Sequence, residues 1–360
     1  MIIKSIYLEN FRNYEKLEVE FNEKVNILIG NNAQGKTNLI EAIYLSSMSK
    51  SFRTNTSSDL VSFNKEFAKV KVKVKDDDID RNVEIRIDNN SKKIIKKNGK
   101  IIRKTSELFN NIIIVVFSPD DLSIVKNDPI KRRTFIDREL CQLKPKYYLA
   151  LTSYNKTLKQ KNALLKERKF NDNLIEVLDS QLAKYGTIIS KYRKVFCLEL
   201  CNISNKLQKS ITDDKEELVI KYINNFKNNE ITEENLYNIL KENRKKDMEK
   251  GYTTVGPHRD DISFYINGID VKKYGSQGQQ RTCALTLKLA EIEIIKNETE
   301  KYPILLLDDV LSELDSERQE KLISHLDMVQ LFITTTDIPK QYKDNNEIKI
   351  IKIKKGTVYN

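Results

Sequence analysis

Val25-Asn26-Ile27-Leu28-Ile29-Gly30-Asn31-Asn32-Ala33-Gln34-Gly35-Lys36-Thr37-Asn38-Leu39-Ile40 is the stretch that decides the fold. Its opening apolar run, Val25 to Ile29, predicts a buried strand. Beyond Thr37, the residues Leu39, Ile40, Ile43 and Tyr44 recur at helical spacing. Between strand and helix, Gly30 to Thr37 matches GxxxxGK[ST] in full, in the strand-loop-helix context that the motif requires. Glycines allow backbone N–H groups to turn toward an anion, and the N-terminus of the helix adds positive potential. Lys36 is then placed to bridge outer phosphates and Thr37 to ligate Mg²⁺. The candidate nucleotide contacts are Gly30, Asn31, Asn32, Ala33, Gln34, Gly35, Lys36 and Thr37.

Much further along, Ile304 to Asp309 reads ILLLDD, an apolar strand ending in two carboxylates. A Mg²⁺ ion beside nucleotide phosphates needs such an oxygen ligand at the carboxyl edge of a sheet, so Asp308 joins Thr37 as a candidate metal ligand. Upstream stands Gly275-Ser276-Gln277-Gly278-Gln279-Gln280, which resembles the LSGGQ signature of ABC-type ATPases. The helix expected from Gln280 to Lys296 follows directly. Ser276, Gln277 and Gly278 therefore sit at a helix N-terminus, a second anion-binding geometry. The ABC resemblance implies that this turn reaches the γ-phosphate held by a second subunit, and that Asp309 orients the attacking water. The implied catalytic set is Lys36, Asp308, Asp309 and Ser276, and Ser312 to Asp315 resembles the D-loop of the same seam.

The remainder of the chain frames these motifs. Ile3, Ile6 and Leu8, then Leu17, Val19 and Phe21, alternate as strands do, and short strands return from Phe67 to Arg103 around an Asn98-Gly99 turn. The middle is helical: one helix is expected from Tyr147 to Lys169. A longer one carries Leu178, Leu182, Tyr185, Ile189, Tyr192, Phe196, Leu200, Ile203 and Leu207 at steps of three or four. Strand patterns resume after Gly251. The expected fold is α/β, an ABC-type P-loop ATPase head of mixed sheet and helices interrupted by a helical arm. The head occupies 1–118 and 252–360, and the arm 119–251.

Composition narrows the partners. With 360 residues, 39% of them hydrophobic, the chain has enough apolar material for the core of a globular protein. A net charge of +11 favours a polyanion, with nucleic acid the first candidate and an acidic membrane the second. Cys141, Cys197, Cys201 and Cys283 lack metal-site or disulfide spacing, and His258 and His325 are too few for a histidine metal cluster or a Ser-His-Asp triad. No secretory h-region or membrane-length apolar run occurs, so a cytoplasmic location and no membrane partner are expected. Lys92, Lys93, Lys96, Lys97, Lys100, Arg103 and Lys104 surround the Asn98-Gly99 turn. They read either as a phosphate-tracking hairpin or as the ordinary guard of an exposed sheet edge. The basic helical segment from Asn155 to Lys169 carries the same two readings. No base-reading module is recognisable, so contacts to DNA are expected at its backbone.

Six segments extend the likeness beyond a class. Asn10-Phe11-Arg12-Asn13-Tyr14, the loop GNNAQGKTN, Ser118 to Leu122, Lys131 to Asp137, Gly256 to Asp261, and GSQGQQR together resemble the RecF family. That resemblance implies an ATP-binding protein of recombinational repair and replication restart, dimerising with ATP on double- and single-stranded DNA at gap junctions. It further implies weak DNA-dependent ATP hydrolysis with Mg²⁺, help to RecO and RecR in loading RecA, and a part in SOS induction. Arg12, Arg132, Arg133 and Arg259 lie in the shared segments and are expected to bridge phosphates or subunits. Three departures from the wider ABC pattern affect mechanism. Asp309 stands where glutamate is usual, Thr335 or Thr336 stands at the histidine switch position, and Asp120 is the stand-in for the Q-loop glutamine. A shortened carboxylate predicts slow hydrolysis. A transporter ATPase subunit, an SMC-like tether and a non-hydrolysing DNA-binding module are the rival readings.

Overall fold

The computed structural model describes residues 1–359, apart from 78, 110, 127, 168–170, 225, 227–229, 325, 327, 340–341 and 343–346. In chain order the first elements are β1 (Ile2–Phe11), β2 (Tyr14–Glu20), β3 (Val25–Ile29), α1 (Lys36–Met48), β4 (Phe67–Asp76), β5 (Ile79–Asp88), β6 (Lys93–Lys97), β7 (Lys100–Ile102), β8 (Ile114–Phe117) and α2 (Pro119–Leu122). The middle holds α3 (Pro129–Leu143), α4 (Pro145–Lys166), α5 (Asp172–Ile211), β9 (Leu218–Ile223), α6 (Glu233–Glu242), α7 (Arg244–Lys250), β10 (Asp261–Ile266), β11 (Ile269–Asp270), α8 (Val271–Tyr274) and α9 (Gln277–Thr299). Last come β12 (Ile304–Asp308), α10 (Ser316–Ser324), β13 (Leu331–Thr335), β14 (Ile348–Lys354) and β15 (Thr357–Tyr359). Two compact units result, residues 1–122 with 291–360, and residues 123–290.

The first unit has two six-stranded sheets, ordered β2-β1-β4-β5-β6-β7 and β15-β14-β3-β13-β12-β8. The former is antiparallel, and β4 shows why: in FAKVKVKVKD the valines at 70, 72 and 74 are buried while the lysines alternate to the other face. In the latter, β3, β13, β12 and β8 run parallel as short, largely apolar and buried strands. Helix α1 packs between the two sheets, touching β1, β4 and β5 on one side and β8, β12 and β13 on the other. Leu39, Ile40, Ala42, Ile43, Tyr44 and Leu45 all enter one core with residues from both sheets. The sequence spacing suggests a single buried stripe. Two flanking sheets instead bury this helix all round, as happens to helices at the centre of a fold.

The second unit is built on α4 and the 40-residue α5, which pack against each other with α3 and α6 beside them. Leu178, Leu182, Ile189, Phe196 and Leu200 are the buried stripe that the three-or-four spacing marks. The Asn171 side chain caps α5 by accepting from the Leu174 N–H at 3.0 Å. Helix α4 closes at Lys166, and the end expected near Lys169 lies outside the described residues. An ion cluster joins α4, α5 and α7, with Lys161, Asp179 and Asp247 wholly buried and Arg244 at its partly exposed edge. Lys161 Nζ lies 2.8 Å from Asp179 and 3.0 Å from Asp247, and Arg244 pairs with Asp179 at 2.7 Å. The compact units divide at 122/123 and 290/291, whereas the sequence reading places 252–290 with the head. Strand pairing accounts for the difference: β10 pairs antiparallel with β9, which draws the following turn and the start of α9 into the helical unit. Among the described residues no helix is long and apolar enough to cross a membrane.

Candidate functional site

The loop between β3 and α1 takes its shape from its neighbours. Gly35, at φ 118°, is the N-cap of α1 and no side chain caps the helix there, so its first N–H groups face the loop that the sequence assigns to an anion. Lys36 is buried, its Nζ donating to the carbonyls of Gly30 at 2.6 Å and Asn31 at 3.2 Å. Asn31, Asn32 and Ala33 are exposed at the loop's crown, with Ala33 left-handed at φ 62°. Beside the loop lies a cleft of about 960 Å³, whose lining includes Arg12 and Asn13 of the β1–β2 turn, Asn38 of α1, Arg53 and the almost wholly exposed Phe63.

Asp308 closes the site from the sheet. Parallel register sets it opposite Thr334 at the ends of β12 and β13. Its Oδ1 accepts from Thr37 Oγ1 and from Thr334 Oγ1, each at 2.9 Å. Thr334 Oγ1 in turn accepts the Asp309 N–H at 2.8 Å. Burial pushes the Asp308 carboxyl above the usual carboxylate range, while the two hydroxyls work in the opposite direction. Asp309 follows in the left-handed conformation at φ 52°, one that aspartate tolerates better than most residues. A threonine hydroxyl and an aspartate oxygen in contact form an oxygen-only donor pair, which suits a hard cation such as Mg²⁺.

Thr334 is the residue that sequence reading missed. Its signal was available only from strand register, which sets its hydroxyl against Asp308. Of the threonines expected at the switch position, Thr335 Oγ1 donates to the Asp337 carbonyl at 2.8 Å and Thr336 Oγ1 to the Asp337 carboxylate at 3.3 Å. Asp120 is exposed in the short α2, after β8 and thus at the same sheet edge as Asp308, since β8 pairs with β12. His325 lies outside the described residues.

Ser276, Gln277 and Gly278 belong to the other compact unit. Ser276 and Gln277 are exposed. Ser276 Oγ accepts the Gln279 N–H at 3.1 Å, and Gln279 Oε1 accepts the Ser276 N–H at 3.0 Å, a reciprocal capping box at the start of α9. Gln280 Nε2 donates to the carbonyls of Gly275 and Val271, fixing the turn from below. After β12, Asp315 caps α10 by accepting the Arg318 N–H at 2.9 Å.

The arginines expected at phosphates or subunit contacts have partners inside their own units. Arg12 grips both oxygens of the buried Glu41 at 2.8 and 2.9 Å and the Asp59 carbonyl at 2.8 Å. Arg132 is 1% exposed and pairs bidentately with Asp261 at 2.7 and 2.9 Å, so burial removes it from any surface phosphate contact. Arg133 donates to the Asp260 carbonyl at 2.6 Å, and Arg259 lies 5.0 Å over the Tyr252 ring. Periodicity placed Arg193 on α5 without revealing its use. It is buried, donating to Asp137 at 2.8 Å, to the Tyr147 hydroxyl at 3.0 Å and to the Pro257 carbonyl at 2.7 Å. On the basic hairpin, Lys93 Nζ donates to the Ser49 carbonyl and Lys96 pairs with Glu84 at 3.3 Å. Lys92, Lys100, Arg103 and Lys104 are exposed.

The RecF/RecN/SMC N terminal domain model matches residues 2–358. The DNA replication and repair protein RecF of Clostridium botulinum (strain Okra / Type B1) is 45% identical over 99% of both chains. RecF of Alkaliphilus oremlandii (strain OhILAs) is 48% identical over 93% of both. A solved structure of the recombination mediator protein RecF-ATP in the RecFOR pathway superposes with a TM-score of 0.90 at 39% identity, covering 99% of this chain and 97% of that one. Both the phosphate loop and the distant glycine-serine turn fall within the matched span, and the chain belongs to the RecF family of RecF/RecN/SMC proteins.

Proposed function

We propose that this chain is an ATP-dependent DNA-binding protein of recombinational repair, acting as a dimer that forms around ATP and comes apart after slow hydrolysis. One observation carries the reading: Thr37, in the first turn after the phosphate loop, touches Asp308 at the end of β12, which joins the two motifs at one point. In this reading the loop from Gly30 to Thr37 cradles the phosphates, and Lys36 leaves the Gly30 and Asn31 carbonyls to neutralise the outer ones. Thr37 and Asp308 hold Mg²⁺, which when bound offsets phosphate charge. The cleft beside Asn13, Asn38 and Phe63 receives the base and ribose. Asp309 orients water, reaching one methylene less far than glutamate, and Thr334 steadies both carboxylate-bearing residues. The exposed Ser276 turn of a second chain completes the site. The likeness to the RecF–ATP structure supports ATP as the ligand, and its RecFOR setting supports RecO and RecR as partners in RecA loading at gaps. The basic hairpin from Lys92 to Lys104 is the proposed phosphate-tracking surface, and a cytoplasmic location accompanies the reading.

Sedimentation of the intact chain with and without Mg-ATP, repeated on duplex, single-stranded and gapped DNA, tests this function. Dimers that need ATP and Lys36, together with salt-sensitive DNA binding, are expected. A chain that remains monomeric with ATP on every DNA would end the proposal.

A further inference from the structure

The turn between β14 and β15 is built into the phosphate loop. A Cβ on Gly30 would stand 2.3 Å from the Ile353 carbonyl oxygen, so β14 runs directly against the loop's first glycine. Beyond it, the N–H of Lys355 donates to Gln34 Oε1 at 2.8 Å, and the N–H of Gly356 donates to the Gln34 backbone carbonyl at 3.0 Å. That carbonyl also accepts from Asn13 Nδ2 at 3.1 Å. The next carbonyl, of Gly35, accepts from the buried Tyr14 hydroxyl at 2.9 Å besides its helical bond from Leu39. Gly356 is held at φ 72°, where a Cβ would meet the Asn13 carbonyl oxygen at 2.2 Å, so the two turns touch.

A trans peptide is planar, with its C=O and N–H pointing in opposite directions. Fixing the Gln34 carbonyl toward Asn13 and Gly356 therefore turns the Gly35 N–H away from them. Fixing the Gly35 carbonyl toward Tyr14 does the same for the Lys36 N–H. An anion-binding loop works only while such N–H groups face the anion, since one inverted peptide would present a carbonyl instead. We infer that Asn13, Tyr14 and the Lys355–Gly356 turn are positioning residues of the nucleotide site, locking two successive peptide planes so that their N–H groups meet the phosphates. This rests on the nucleotide reading above.

Calorimetric titration of the full chain with Mg-ATP, Mg-pyrophosphate and adenosine, on wild type, Tyr14→Phe and Gly356→Ala, tests the inference. Loss of one hydrogen bond in Tyr14→Phe is expected to weaken ATP and pyrophosphate roughly fivefold, with adenosine unchanged. Gly356→Ala is expected to weaken them more. Variants that bind ATP as wild type does, or that weaken adenosine in step with ATP, overturn the positioning role. Wild type that binds neither ATP nor pyrophosphate sinks the nucleotide reading and this inference with it. Should Gly356→Ala fail to fold, Tyr14→Phe, which keeps the buried ring, decides alone.

Discussion

Thr37 Oγ1 and Asp308 Oδ1 stand 2.9 Å apart, although 271 positions separate them in the chain. The contact ties the first turn of α1 to the carboxyl end of β12, and Thr334 adds a second hydroxyl to the same oxygen. Thr37→Val removes one donor at constant shape. Mg-dependent ATP hydrolysis is expected to fall by at least about 10–100-fold, the loss typical of a ligand's outer partner, because Thr37 is itself a proposed ligand, and magnesium-titrated phosphate release checks it.

Thr334→Val removes a hydroxyl that stabilises ionised Asp308. Burial already holds this carboxyl above its ordinary range, so the variant should raise it further. The acid limb of the kcat profile is then expected to move to higher pH, and an unmoved limb would separate Thr334 from the chemistry.

Ser276 has two separable roles. Ser276→Ala deletes the cap on α9 and is expected to cost about 1 kcal/mol of stability, read in a urea melt. Ser276→Asp retains a capping oxygen but sets a negative charge where the proposed γ-phosphate sits. Ser276→Arg meets that phosphate with bulk. Both are expected to bind ATP and to lose ATP-dependent dimers in sedimentation, and dimers that persist would contradict the shared site.

Two buried groups of the helical unit give opposite pH slopes. His258, bonded to the Tyr154 hydroxyl and the Thr253 carbonyl, is pushed down to about 4 by burial. A depressed histidine contributes stability that is present above its unfolded value of 6.5 and lost as pH falls through about 4, roughly 3 kcal/mol in all. Asp260, beside Arg193 and Tyr222, is pushed up to about 6 by burial. Its contribution is present below 3.8 and lost as pH rises through about 6. Relative to wild type, His258→Gln is therefore expected to lose less Tm on acidification from pH 6.5 to 4, and Asp260→Asn to lose more. Melting curves across that window check both signs.

Lys161 is wholly buried between Asp179 and Asp247. Lys161→Met leaves the pair of carboxylates with Arg244 as the cation on Asp179, and is expected to destabilise by about 3–5 kcal/mol in urea unfolding.

The phosphate loop, the ILLLDD strand and the serine-glycine turn could be read without coordinates because each is contiguous and its chemistry depends on local backbone geometry. The long stripe on α5 was equally plain, since helical spacing records burial directly. Other features were hidden for physical reasons. Thr334 meets Asp308 because parallel register sets strand ends side by side, and register is a relation between segments. Arg132 looked like a surface cation until Asp261 enclosed it. Residues 252–290 joined the helical unit because β10 found its partner in β9. Sequence alone thus determined which motifs exist and the local structure that carries them, for those follow from short-range spacing and sterics. Tertiary structure alone decided which distant groups share a proton, a peptide plane or a buried charge, because those energies arise only when segments far apart in the chain exclude water together.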